Sequence, residues 1–400
     1  MRYQRLFLLV LLAVSQMGIQ ALAVTETTIH TFAGGVYSGD PLAGLVFDSA
    51  GNAYGTAISG GEGYGTIYEL SPSQSGWTAT LLYSFDNAGG AAPYAPLILD
   101  SAGNLYGTAI WGGNTSGACQ GSGCGTVYEL AKVSGGWEFH LLYAFTGGSD
   151  SAHPQAGLVF DKSGNLYGTT AGGTPGGMGS VFELSPTNGT WKESTLYTFA
   201  GGNDGATPLS ALTPGAQGTF YGTTAFGGPQ NLGTVYRLTK TASKWTEAVL
   251  YAFSGPDGAE PLAGSLLIRY GSLYGTTNFG GTSNMGTVFA LSESNNSVVE
   301  NVLYSFGGVR GENPYGGLAV DAAGNFFGTA TSGGSMNNGV IFALHNGSGT
   351  WQEKVLHNFG GISDGSSPTG TPAIYQGALF GQASGGGEWN SGVAWELTPN

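Results

Sequence analysis

An aromatic-Gly pair recurs seven times along this chain, at Tyr54-Gly55, Tyr106-Gly107, Tyr167-Gly168, Tyr221-Gly222, Tyr274-Gly275, Phe327-Gly328 and Phe380-Gly381. The spacing runs from 52 residues (54 to 106) to 61 (106 to 167). Each pair is followed by a Gly-Gly, a Gly-(Thr)-Val-Tyr-Glu-Leu phrase and a Leu-Tyr-x-Phe phrase, with substitutions. A self-similar period of about 50 residues means that one structural unit is stacked on copies of itself. It overrides the two or three domains that length alone would suggest.

The third unit shows what the structural unit is. Gly157-Leu158-Val159-Phe160-Asp161, Leu166-Tyr167-Gly168-Thr169-Thr170, Ser180-Val181-Phe182-Glu183-Leu184 and Leu196-Tyr197-Thr198-Phe199 are short runs rich in β-branched and aromatic residues. Turn residues separate them, which predicts four antiparallel strands. The Asp-x-x-Gly-Asn turn at Asp48, Asp100, Asp161 and Asp321 suits a tight hairpin. Sustained 3.6-residue periodicity is missing from the chain beyond its N-terminal segment, so almost no helix is expected there. The strands are apolar on both faces, as blades stacked on two neighbours require, and seven copies fall within the four to eight blades usual for a propeller. The Gly after each aromatic is expected to mark the contact point between adjacent blades.

The ends of the chain predict how the ring closes. The phenylalanines of the Leu-Tyr-x-Phe column are Phe32, Phe85, Phe145, Phe199, Phe253, Phe306 and Phe359, and a Trp stands eight residues earlier in five units, at Trp77, Trp137, Trp191, Trp245 and Trp351. The same offset from Phe32 falls on Val24. The chain therefore opens with an outer strand, Thr25–Phe32, and finishes with an inner one, Gly392–Leu397. The fold expected is an all-β, seven-bladed β-propeller of about 53 residues per repeat. In it the N-terminal strand completes the last blade and removes the open edges that invite aggregation.

The Gly-Asn-Leu-Tyr-Gly-Thr-Thr phrase of residues 164–170 resembles the hallmark of the GloVer (Gloeo/Verruco) tandem repeats of exported bacterial proteins. The resemblance covers nearly all of residues 25–397. Units four, five and seven depart from it at Gly218-Thr219-Phe220, Gly271-Ser272-Leu273 and Gly377-Ala378-Leu379, which lack the Asn, and unit seven carries Gln382 in place of the first Thr. The resemblance implies a propeller and export and assigns no common activity. Kelch blades share a Gly-Gly, an aromatic strand and a Trp, as in Gly172-Gly173, Phe182 and Trp191, but their Gly-Gly follows an apolar run, so this similarity is architectural.

Residues 1–23 read as a secretory signal peptide: Arg2 and Arg5, the apolar run Leu6 to Val14, and Ala21-Leu22-Ala23. That run is too short for a membrane span, which takes about 20 residues. The expected mature chain, 24–400, is a single propeller domain, secreted, periplasmic or held at the cell surface. Removing Arg2 and Arg5 takes the formal net charge from −14 to −16. Such a balance excludes nucleic acid and anionic membrane as partners. Cys119 and Cys124, the only cysteines, are expected to form a disulfide closing the loop Gly117–Gly125.

Chemistry is expected at the face carrying the Gly-Gly loops and the blade-to-blade connections. Each connection ends in Pro and carries an acid: Asp40, Asp86, Asp150, Asp204, Asp257, Glu312 and Asp364. On a closed ring these would line one mouth of the channel. Asp150, Asp204, Asp257 and Asp364 would suit calcium if a metal binds, while the alternative is that each caps its own turn. No other cofactor is implied. Tyr64, Trp111, Phe226, Phe279 and Trp389 lie near the Gly-Gly loops, where they would stack on sugar rings or pack under the loops. His30 and His357 occupy the Tyr column of the Leu-Tyr-x-Phe strand, His140 lies on a strand of the same type, and His345 ends an inner strand. Only His153, beside Asp150, is placed for acid–base work. The chain has no nucleophile elbow, Walker loop, His-Glu-x-x-His or Cys-x-x-Cys. The reading is a monomeric binding module for an extracellular glycan or surface protein. A polysaccharide lyase or hydrolase using His153, or a purely structural repeat, are the alternatives.

Overall fold

The computed structural model describes residues 24–399 apart from 36–37, 173–176, 217, 243, 263, 295–296 and 348. Segment 1–23, expected to be a signal peptide, lies outside the described residues.

Seven antiparallel sheets form the blades of a β-propeller. Blades 1 to 6 are four-stranded and occupy residues 46–84, 98–144, 159–198, 213–252, 267–305 and 319–358. In blade 3 the strands are Val159–Phe160, Leu166–Thr170, Ser180–Thr187 and Thr190–Thr198. Blade 7 is built from Ala373–Tyr375, Ala378–Gly385 and Val393–Pro399, with Ser366–Pro368 adding a second short partner. Its outer strand is Val24–Thr31, registered from Val24 opposite Pro399 to Thr31 opposite Val393. The N-terminal strand therefore zips the ring shut as the columns predict. The described helical segments are short 3-10 turns such as Gly117–Cys119 and Gly202–Asp204.

The core lies between blades, because each sheet is apolar on both faces. Every interface uses the same aromatic lock, in which the Phe ending one outer strand meets the third-strand aromatic of the next blade. Ring centroids are 5.0–5.2 Å apart for Phe32–Tyr68, Phe85–Tyr128, Phe145–Phe182, Phe199–Tyr236, Phe253–Phe289 and Phe306–Phe342. They are 6.2 Å apart for Phe359–Trp395. Edge-to-face pairs of this kind add to what area burial alone provides.

This lock explains the repeated Gly and corrects its expected role. Gly55 lies opposite Tyr68 in the same blade, and a Cβ there would collide with the Tyr68 ring. Gly381 stands in the same relation to Trp395. The glycine is the seat on which its own blade's aromatic lies, and that aromatic carries the ring contact with the neighbouring blade.

Two backbone-centred devices complete each interface. The residue before the connection Pro has a left-handed φ of 54–61° in all seven units, at Asp40, Ala92, His153, Thr207, Glu260, Asn313 and Ser367. That conformation costs energy for a non-Gly residue and is disfavoured before Pro. Its N–H offsets the cost by donating to the preceding blade at 2.8–2.9 Å, as in Asp40 to Ser391 O and His153 to Cys124 O. The Thr after the aromatic-Gly pair donates its hydroxyl to a carbonyl of the next connection at 2.7–3.5 Å in six blades, from Thr56 to Ala95 O through Thr329 to Gly370 O.

Candidate functional site

Trp111 and His153 meet on the loop face. Trp111 extends the second strand of blade 2 through a bridge to Ala91. His153 is the left-handed residue of the connection into blade 3, and its N–H and C=O bind Cys124 O and Ala171 N. The stitch that joins blades 2 and 3 thus carries the imidazole to the indole, with centroids 4.4 Å apart and planes at 60°. Cys119 and Cys124 are joined as a disulfide, and their loop folds over the same place, with Gly112 N donating to Ser122 O at 2.7 Å. The result is an open groove of about 410 Å³ lined by Trp111, Gln120, Ser122, Gly123 and His153 with the Ala118-Cys119 edge. Trp111 is 40% exposed, enough to offer one ring face to a ligand.

Burial pushes the His153 imidazole below its ordinary value, so it is neutral at pH 7. Among the described residues its side chain makes no hydrogen bond, and nearby Asp150 is engaged elsewhere. Asp150 accepts from Thr146 N (2.8 Å), Thr146 Oγ1 (2.6 Å), Gly148 N (3.2 Å) and Tyr143 Oη (2.9 Å). A general base needs a proton-relay partner or an orienting group, and His153 has neither here. The groove offers an aromatic platform, a neutral imidazole, an amide, a hydroxyl and bare glycine backbone.

The other loop aromatics are spread around the ring. Phe226 and Phe279 occupy the position of Trp111 on blades 4 and 5, through bridges to Ala206 and Ala259. Tyr64 and Trp389 lie farther along their Gly-Gly loops on blades 1 and 7 and are 39% and 58% exposed. No second pair like Trp111–His153 forms among them.

The acidic residues do not ring the channel mouth. Asp150, Asp204 and Asp257 each turn back to the outer strand they have just left and accept from its Tyr, Tyr143, Tyr197 and Tyr251 in turn. Asp364 does the same with His357, whose Nε2 lies 3.0 Å from Asp364 Oδ2. Each also caps its loop, as Gly360 N and Gly361 N show by donating to Asp364. The four carboxylates therefore sit in separate clefts between blades, and a shared calcium ring is not their arrangement. The channel wall is instead formed by connection residues such as Leu42, Gln155 and Thr369, and enclosed space there is about 230 Å³. Tyr94 and Tyr315 share a 3.0 Å hydrogen bond between blades 2 and 6.

A third feature was not visible in the repeat. An outer-strand Glu of the following blade points into several of these clefts: Glu193 near Asp150, Glu247 near Asp204, Glu300 near Asp257 and Glu26 near Asp364. Burial first, and the facing Asp second, push Glu26, Glu247 and Glu300 up to about 7. Between blades 5 and 6 Arg310 replaces the Asp and pairs with Glu353 at 3.1 Å. Glu26, His357 and Asp364 place one ligand atom each within 4.8 Å of one another. Three of the pairs stand 43 residues apart (150 to 193, 204 to 247, 257 to 300) and Glu26 and Asp364 stand 338 apart (26 to 364), so column spacing within a repeat could not pair them. His30 and His140 are packing or surface residues. His30 lies edge-on to Phe32 at 4.7 Å, and His140 lies 3.1 Å from Glu129 and 3.4 Å from Glu138.

The sequence profile described as Gloeobacter/Verrucomicrobia repeat matches residues 17–217 and 193–395. No curated protein matches the chain. Among solved structures it is similar to the extracellular domain of a one-component system from B. thetaiotaomicron (TM-score 0.56, 10% identity, 92% of this chain and 39% of that one). It is also similar to an ulvan lyase of a polysaccharide lyase family (TM-score 0.55, 11% identity, 92% and 95%). A protein described as a 6-phosphogluconolactonase from Bacteroides uniformis gives TM-score 0.54 at 16% identity over 86% and 89%. At these identities the likeness is one of fold. The chain spans about two-fifths of the first of these proteins. No helix among the described residues is long and apolar enough to cross a membrane.

Proposed function

Since the chain belongs to the Gloeobacter/Verrucomicrobia repeat family along nearly its whole length, we propose that it is an exported propeller that binds an extracellular glycan without transforming it. The observation that carries this reading is the groove in which Trp111 and His153 meet beneath the disulfide-closed loop. A sugar ring presents an apolar C–H face and a rim of hydroxyls. The exposed indole suits the first, and Gln120, Ser122 and the neutral imidazole suit the second. A disulfide supports passage through an oxidising compartment. The signal-type segment 1–23 supports it too. The glycan-acting and extracellular propellers with the same fold make this ligand class a reasonable first choice.

The unpartnered imidazole favours binding over catalysis. Calorimetric titration with neutral and uronate-containing oligosaccharides is the test. Trp111→Ala should weaken binding by roughly tenfold to a hundredfold, which is what losing one stacked platform of 1.4 to 2.8 kcal/mol gives. Absence of heat with every glycan class, or equal affinity in Trp111→Ala, would overturn the proposal. Accumulation of unsaturated sugar ends that disappears in His153→Ala would establish the lyase instead.

A further inference from the structure

The interface between blades 6 and 7 lacks an indole that most of the others contain. In five interfaces the outer strand of one blade carries a Trp; in three of them it covers the second-strand aromatic of the blade before it, and Trp191 and Trp351 pack in the clusters that hold Tyr106 and Tyr274. The centroid distance is 5.8 Å for Trp137 on Tyr54, 6.4 Å for Trp245 on Tyr167 and 5.7 Å for Trp77 on Phe380. Between blades 6 and 7 three equivalent positions are truncated together. Val24 stands in the Trp column, Phe327 in the Tyr column, and Ala343 where Glu69, Glu129 and Glu183 stand. A fourth position is enlarged, since His345 replaces Ser71, Ala131, Ser185 or Thr239.

The truncations leave a cavity of about 480 Å³ walled by Val24, Phe327, Leu356 and Leu379, with Asp321 and His345 on its edge. That volume is within the roughly 300–1,000 Å³ of small-molecule sites. Two of its polar groups are under-used. His345 Nε2 is buried without a hydrogen-bond partner. Asp321 accepts from Asn325 N at 2.8 Å and Asn325 Nδ2 at 2.7 Å, but lacks the phenol that Tyr54, Tyr106 and Tyr167 give to Asp48, Asp100 and Asp161.

The geometry points to a binding site for a small planar aromatic molecule of the indole class, its rings lying where a Trp side chain lies in the five interfaces that carry one and its N–H donated to His345. Cavities walled by apolar side chains take up aromatic molecules in this way. Three copies of this chain's own packing, Trp77 on Phe380, Trp137 on Tyr54 and Trp245 on Tyr167, show that such faces accept an indole. The occupant is a free ligand, because the strand carries only Val24 at that position.

Titration of indole into the purified protein, followed by calorimetry, is the test. One saturating equivalent per chain is expected. Val24→Trp should fill the cavity from within, weaken indole binding by at least roughly tenfold and raise the melting temperature. His345→Ala should weaken binding without raising the melting temperature. Val298→Trp, the other Val of the column, should bind indole as the parent does. Failure of the parent to saturate, or equal affinity in Val24→Trp, overturns the site. Should Val24→Trp fail to melt cooperatively, His345→Ala decides, and unchanged affinity there overturns the assignment.

Discussion

Blades 3 and 4 meet through the full set of repeat devices, whereas the joints on either side of blade 7 each lack some of them. At the first joint Tyr167 donates to Asp161 and Glu183, Trp245 covers it, and Thr169 reaches the next connection. Between blades 6 and 7 the phenol, the indole and the facing carboxylate are absent, though Thr329 still reaches Gly370 O. Between blades 7 and 1 the Thr itself is missing, replaced by Gln382. Both weakened joints flank the one blade assembled from the two ends of the chain. A ring closed by strand pairing tolerates side-chain losses there, because the antiparallel register of Val24–Thr31 on Val393–Pro399 holds the ends together. The cost falls on the strand, and the spaces released become available for other uses.

That division of labour predicts where the largest effect lies. Deleting residues 24–31 should unzip blade 7, expose the edge of Val393–Pro399 and strip cover from Phe380, Ala394 and the rest of the cluster around Ile29. Circular dichroism melting and gel filtration should show loss of the cooperative transition or aggregation. A deletion variant that melts like its parent would break the comparison, because the strand would then contribute nothing that the ordinary joints lack.

The middle-sized effect concerns the acidic clefts. Glu26 faces Asp364 and His357, Glu247 faces Asp204, and Glu300 faces Asp257. All three are raised from 4.5 to about 7 in the folded ring. Between those values the folded protein binds more protons than the unfolded chain, so stability must fall as pH climbs from about 4.5 to about 7. His30 and His153, lowered by burial, work in the opposite sense below 6.5, but by smaller shifts. The ring should therefore resist denaturant better at pH 5 than at pH 8. The triple variant Glu26→Gln, Glu247→Gln, Glu300→Gln should flatten that slope. If Glu26→Gln alone matches the triple variant, the seam would differ from the ordinary joints, and equal shares would show that it does not.

The legibility of this molecule follows from the same geometry. Strands, blade number and ring closure could be read because each residue column repeats within one unit, and the offset of Val24 from Phe32 carries the closure directly. The Gly column was visible but its partner was not, since Gly55 and Tyr68 are paired by strand register. The Thr column was equally visible, yet its acceptor, such as Ala95 O for Thr56, stands in the next repeat. His153 was singled out for its neighbour Asp150. The structure instead joins it to Trp111, because a left-handed backbone stitch is invisible in residue type. The longer second repeat and its two cysteines were the available signal for that groove.

The smallest effect isolates one missing bond. Gln382 is 1% exposed, and neither its amide oxygen nor its nitrogen has a hydrogen-bond partner. In the six other blades the same position is a Thr whose hydroxyl reaches the next connection. Between blades 7 and 1 a comparable bond comes from the connection itself, Thr369 Oγ1 to Leu42 O at 2.8 Å. Burying a primary amide without partners costs about 1–3 kcal/mol, and a made hydrogen bond contributes about 1 kcal/mol. Gln382→Thr removes the first and restores the second, with Ala43 O as the acceptor matching Ala95 O. Against this, the shorter side chain leaves a void beside Gly55, which the Gln amide now adjoins. Filling space badly costs about 1 kcal/mol per missing methyl-sized group. The net expectation is a gain of about 1 kcal/mol in denaturant unfolding, with parent and variant compared at one pH so that the acidic clefts contribute equally to both. A loss of stability would mean that the amide is satisfied through bound water and that the seam is specialised, not weakened.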